Sequence, residues 1–299
     1  MAAAQPWSKD TFGLSLSLVG SIGLGTAIAI SRIAYEAGAN GLSIALPRAW
    51  LLVIFLVIFC AASGRRFHLS RRITLHCIGA GALMSYLFYG NIAAAEFIPA
   101  AVAALLFFIY PPLTTLLVAA IDKTAPPPLK VLATLIAFAG LALMLGVGFQ
   151  ELDWRGMALG LSAGCVCAIQ LTWVARALSG NDPLITMTQM ALVAAIVLTI
   201  AAFISDGPPM PVTITGWSAM LSAAALQAAS IPLLYIALPL IGPERSAVAN
   251  NIQPVATVLV AILLLGETLR AGQFIGAAMI IGGILLMQYS THRSIRKRD

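Results

Sequence analysis

Charge is what this sequence has least of. Of its 299 residues only 9% are Asp, Glu, Lys or Arg, while 60% are apolar; a soluble domain carries about 25% charged residues. So little charge cannot keep a globular surface wet, which excludes a water-soluble domain. The eleven carboxylates all fall in expected tails, loops or span ends. Neither paired catalytic acids nor a mid-membrane proton relay is therefore expected, and His76 is the nearest titratable candidate to the apolar interior. Cys60, Cys77, Cys165 and Cys167 all lie within apolar runs. Residues two apart on a helix point in different directions, so Cys165 and Cys167 read as buried filler rather than a disulfide or metal site. His68, His76 and His292 have no ligand spacing. No metal, no cofactor and no enzymatic activity is expected, because no H-E-x-x-H or Ser/His/Asp arrangement is evident.

What fills the chain instead is a succession of apolar runs of about twenty residues, each long enough to cross a hydrocarbon layer of about 30 Å as a helix. Ten spans are expected, near 12–31, 42–62, 74–94, 99–121, 131–149, 156–176, 184–204, 215–236, 244–265 and 270–290. The opening MAAAQPWSKD lacks the basic start and cleavage site of a signal peptide, so the first run reads as a retained span. With the N-terminus inside, thirteen Lys and Arg fall on inner segments and only Arg32, Arg155 and Arg270 on outer ones, with Arg48 left inside a span. That bias places both termini in the cytoplasm. RRFHLSRR and the tail RSIRKRD flank spans, which favours topology and lipid contact over nucleic acid.

A shift of 143 residues lays AALLFFIYPPLTTLLVA (103–119) over SAVANNIQPVATVLVAI (246–262). Pro111 then falls on Pro254, Thr114 on Thr257, Tyr110 on Gln253 and Phe107 on Asn250. Halves of five spans each, 1–149 and 150–299, invert relative to one another because five is odd. Such inverted repeats place a substrate site near the midplane between them. The expected architecture is thus an all-α membrane protein, ten transmembrane helices in two inverted five-helix repeats around a central cavity.

The residues expected in that cavity follow from helical spacing. Asn250, Gln253, Pro254 and Thr257 stand at i, i+3, i+4 and i+7, one helix face. Side-chain amides without partners in hydrocarbon cost several kcal/mol, so this face must meet protein or water. It either lines a cavity or staples helices together. Phe107, Tyr110 and Thr114 form the counterpart, with Pro111 and Pro254 as hinges. Tyr86 and Tyr89 on the third span, Gln170 and Trp173 on the sixth, and Gln227 on the eighth add aromatic and amide groups at similar depth. Tyr235 reads as an interface anchor. Arg48 is expected to gate or brace rather than touch substrate.

The stretch LLLGETLRAGQFIGAAMIIGGILLM (263–287) resembles the closing signature of the drug/metabolite transporter superfamily, particularly its EamA-type members, through Gly266, Glu267, Gln273, Gly276 and Gly283. The Arg48 region is similar to that family's second helix, whereas DKTAPPPLK (122–130) departs from the usual Gly-Glu turn. Length and the I-Y-P and Q-P helices are similar to aromatic amino-acid exporters of the YddG type. The resemblance implies a bacterial inner-membrane carrier, monomeric or weakly dimeric, exporting amino acids or related metabolites from a central cavity. Multidrug efflux of lipophilic or cationic compounds is the alternative. A scaffold protein is the third reading.

Overall fold

The computed structural model describes residues 9–94, 97–98, 100–146, 153–205, 207–265 and 271–295. Glu96, Glu151, Asp206, Gly266, Glu267, Arg270 and the tail residues from Arg296 lie outside the described residues. Hydrocarbon offers no partner to backbone N–H and C=O groups, so a spanning chain satisfies them internally as helix. Eleven helices account for nearly all the described residues: α1 (Lys9–Glu36), α2 (Gly41–Ala62), α3 (Arg71–Ala94), α4 (Ala100–Phe107), α5 (Tyr110–Asp122), α6 (Pro128–Leu145), α7 (Trp154–Ala177), α8 (Pro183–Ile204), α9 (Ile214–Ala249), α10 (Ile252–Leu265) and α11 (Ala271–Ile295).

Eleven helices make ten crossings. The fourth expected span is broken after Phe107 into α4 and α5, and the ninth is broken after Ala249, ahead of α10. The cause is the same at both places. Proline has no N–H to donate, and its ring is best accommodated in the first turn of a helix. Pro111 and Pro112 stand in the first turn of α5, and Pro254 in the first turn of α10. The eighth and ninth spans run together instead. α9 has 36 residues, about 54 Å at 1.5 Å per residue, which is too long for one crossing. Gly242, with φ 78° and ψ 165°, kinks it just before Pro243. At that left-handed φ a side chain would be strained, and the kink separates the two crossings.

The interior mixes many small residues with large apolar ones such as Leu52, Leu56, Met187 and Met190. Lipid tails are as apolar as leucine, so helices gain little by burying large side chains and pack instead where backbones approach. Ala34, Ala45, Ala49, Ala137, Ala191 and Ala223 are fully buried, while Ile58, Phe203, Leu263 and Leu285 are more than 60% exposed and face outward.

Helix partners show a regular pattern. α1 packs on α9 and α10, and α7 packs on α3, α4 and α5; α2 packs on α9, and α3 on α8; α2 pairs with α8 and α6 with α11. Exchanging the first five crossings with the last five maps this set of pairs onto itself. Two glycines show the correspondence at atomic scale. A Cβ on Gly25 of α1 would lie 2.2 Å from the Gln253 carbonyl oxygen, at the start of α10. A Cβ on Gly164 of α7 would lie 2.8 Å from the Leu106 and Phe107 carbonyl oxygens, at the end of α4. Each broken crossing is thus met by a glycine on the first helix of the other half.

Among the described residues, four ion pairs tie the bundle at the end where α1 begins, here termed the basic end. Lys130 at the start of α6 binds Glu244 of α9, and Arg65 beyond α2 binds Asp182, the N-cap of α8. Arg176 near the end of α7 lies 2.7 Å from Asp122 at the end of α5. Arg245 lies 3.1 Å from Asp10 of α1 and donates through Nε to Gln288 Oε1 of α11 at 2.9 Å. Each ion pair joins a residue before position 150 to one after it. At the opposite end Val212 N donates to the Ala37 carbonyl at 2.9 Å, and the Arg155 guanidinium sits 4.7 Å above the Phe97 ring. There Asp153 caps α7 by accepting from Arg155 N at 2.8 Å. Hydrogen bonds from the Arg155 side chain hold the Asp153 carboxyl below the usual carboxylate range.

Candidate functional site: a cavity at the two helix breaks

A cavity of about 280 Å³ lies where the two broken crossings meet. From α4 and α5 it takes Phe107 and Tyr110, and from the second break Asn250 and Gln253. Gln170 of α7 and Gln227 of α9 contribute amides, and Arg48 of α2 a guanidinium. These seven are expected residues that the structure brings to one wall.

The polar groups are held in defined positions. Asn250 Oδ1 accepts from Ser21 Oγ of α1 at 2.8 Å, with Ser17 Oγ at 3.4 Å. Asn250 and Tyr110, one from each break, line the same cavity. Gln170 Nε2 donates to the Ala80 carbonyl at 2.9 Å, fixing its amide against α3. The Tyr110 ring packs at 5.4 Å from Phe107 and 5.7 Å from Phe108, within the range in which aromatic pairs attract. Asn250 therefore combines the two expected roles, since it both staples helices and faces the cavity, while Gln253 faces the cavity.

Four expected residues lie elsewhere. Tyr86 and Tyr89 line a separate cavity of about 520 Å³ with Asn40, Ser85, Leu198 and Pro208. The Tyr86 hydroxyl is 2.6 Å from Ser162 Oγ, which turns it towards α7. Trp173 Nε1 donates to His76 Nδ1 at 3.2 Å, the rings meeting edge to face, so Trp173 is occupied between α3 and α7. Thr257 Oγ1 donates to the Gly25 carbonyl at 2.9 Å and its own Gln253 carbonyl at 3.1 Å. It therefore serves the α1–α10 contact. Its counterpart Thr114 is fully buried and donates to the Tyr110 carbonyl at 2.7 Å.

Other wall residues were not singled out from the sequence. Ser31 and Tyr35 of α1, Met84 and Phe88 of α3, Cys167 of α7 and Ser246 of α9 all line the cavity. Tyr235, expected at an interface, lines it too. Their signal was faint: Ser31 and Tyr35 stand near the end of a span, where polar residues are ordinary. Cys167 passed as filler. His76 is not among the lining residues, and no Asp or Glu is found among the described ones.

Arg48 departs from its expected bracing role in one respect. It is only 7% exposed, and its Nη2 donates to Ser31 Oγ at 2.5 Å, while its Nε is buried without a partner.

Helices that cross a membrane ten times around a cavity with amides at its helix breaks define a multi-pass membrane protein, an arrangement that recurs among secondary transporters. Residues 154–289, from the start of α7 into α11, match the EamA-like transporter family. That match supports the drug/metabolite transporter superfamily and, with it, a membrane transporter of small molecules. A solved structure described as "Crystal structure of protein" shares 17% identity, covers 91% of this chain and 97% of its own, and superposes with a TM-score of 0.74. At that identity the likeness speaks for the fold. Comparison with curated proteins finds no match.

Proposed function

We propose that the protein is a secondary transporter that exports small metabolites, foremost neutral or aromatic amino acids, across a bacterial inner membrane by alternating access. The observation that carries this reading is the convergence of Phe107, Tyr110, Asn250 and Gln253, from two separate helix breaks, on one cavity. Binding sites of this kind combine apolar and aromatic walls with a few placed polar groups. Phe107, Tyr110 and Phe88 suit an apolar side chain; the amides of Gln170, Gln227 and Gln253 suit the polar end of an amino acid.

Residues 1–149 and 150–299 act in this proposal as the two inverted repeats, rocking about the cavity with Pro111 and Pro254 at the hinges. The reciprocal helix partners and the paired glycine contacts support that division. The basic end faces the cytoplasm, following the Lys and Arg bias. Its four ion pairs hold the repeats together there, while the cavity extends to Tyr35 near the far end of α1. The conformation therefore faces outward. A wall without carboxylates supports a carrier driven by the substrate gradient, and it disfavours proton-antiport efflux of cationic drugs.

The test is uptake into proteoliposomes of labelled amino acids and of cationic dyes, with and without an imposed pH gradient. Amino-acid uptake indifferent to the gradient is expected. Uptake confined to dyes, or strictly dependent on protons, would replace this proposal with drug efflux.

A further inference from the structure

We infer that Arg48 is the specificity-determining residue of the cavity and that the transported class carries a carboxylate. This rests on the proposed transport role of the same cavity. Arg48 stands seven residues into α2, about 10 Å below the helix end at 1.5 Å per residue, with 7% exposure. A guanidinium so placed does not reach an interface by extending its side chain.

A buried cation normally acquires a counter-charge, because desolvation costs several kcal/mol for a lone ion. Arg48 has none: none of the described ion pairs includes it, and no described carboxylate lines the cavity. It donates to the Ser31 hydroxyl, which itself donates to the Ala27 carbonyl at 2.6 Å. The Nε donor is buried and unused. Guanidinium donors form a planar fork that matches a carboxylate with two parallel hydrogen bonds. A carboxylate arriving in the cavity would supply both the missing charge and the missing acceptor. The aromatic groups Phe88, Phe107 and Tyr110 line the same space, so the rest of such a substrate has an apolar wall to meet. A neutral amide offers the fork one acceptor oxygen and no counter-charge, and an amine adds repulsion.

Four labelled isosteres separate these classes in wild-type proteoliposomes: phenylalanine, 3-phenylpropionate, phenylalaninamide and phenethylamine. The two acids are expected to enter at least tenfold faster than the amide and the amine. Equal entry of the amide or the amine overturns the inference and leaves small-molecule transport standing. Entry of phenylpropionate without phenylalanine supports the inference and removes the amino-acid reading. Entry of none of the four overturns the inference. Arg48→Gln is expected to weaken the half-saturating concentration of phenylpropionate by roughly 10- to 100-fold, as loss of a charged hydrogen bond implies. Arg48→Lys should recover part of that loss. An unchanged value in an Arg48→Gln protein that elutes as wild type overturns the inference. The isostere comparison holds even where the variant fails to fold.

Discussion

Ser21 of α1 donates its hydroxyl to Asn250 Oδ1 at 2.8 Å, so the first helix of the chain holds the residue at the break between α9 and α10. Asn250 shares the cavity wall with Tyr110 of the other break. One side chain thus joins α1 to the α9–α10 break at the cavity wall.

Asn250→Ala removes that junction. Interhelical hydrogen bonds in membranes average about 0.6 kcal/mol, so the protein should still fold, with a melting temperature only a few degrees lower. Phenylalanine transport is expected to fall roughly tenfold, and Gln253→Ala should reduce it too. Initial rates in proteoliposomes, beside melting curves, check this. Unchanged transport in both variants would make these amides packing groups.

Gly25→Val and Gly164→Val place side chains where a Cβ already lies 2.2 and 2.8 Å from backbone oxygens. Backbone cannot step aside as a side chain does, and overpacking costs about 1–3 kcal/mol or more. Both variants should lose folded yield. Gly282→Ala is the control, since a Cβ there meets nothing within 4 Å. Size-exclusion profiles and melting temperatures decide it.

The pairing of Lys130 with Glu244 predicts a charge-swap result. Glu244→Lys alone sets two cations together at the basic end and should shift the carrier towards opening there. Adding Lys130→Glu restores the pair. A cysteine placed at Leu234, on the cavity wall, in an otherwise cysteine-free protein reports the change. Labelling by an impermeant thiol reagent from the basic end should rise several-fold in the single variant and return in the double. Equal labelling in all three would remove the gating role.

His76 accepts the Trp173 N–H and does not line the cavity. His76→Gln keeps an acceptor at that place, so substrate-driven uptake should remain within about twofold of wild type with or without a pH gradient. A proton-stimulated rate abolished by this change would show proton coupling through His76.

Much of this was legible because hydrocarbon makes polar residues conspicuous. Asn250, Gln253 and the two prolines stood out in an apolar run, and the breaks fall beside those prolines for the reason their missing N–H implies. The ten crossings followed from run length. Periodicity says which residues share a face, however, and not which neighbour that face meets. Tyr86 and Tyr89 share a face but meet a second cavity, and Trp173 shares one with Gln170 yet turns to His76. The α9 kink was hidden because Gly242 sits between two apolar runs whose lengths gave no sign of continuity. Arg48 was visible as a charge, but the lack of a partner is a fact of three-dimensional space. So are the ion pairs, whose members stand more than fifty residues apart in sequence.

The four ties at the basic end also bear on the timing of a transport cycle. In the proposed cycle, a carrier released from its cargo breaks every one of them before it presents an empty site at the basic end. Loaded and unloaded proteins face the same clasp, yet only the loaded one has substrate contacts to offset its loosening. The proposal therefore predicts a slow return of the empty carrier, so that substrate supplied on the far side speeds exchange more than it speeds net flow.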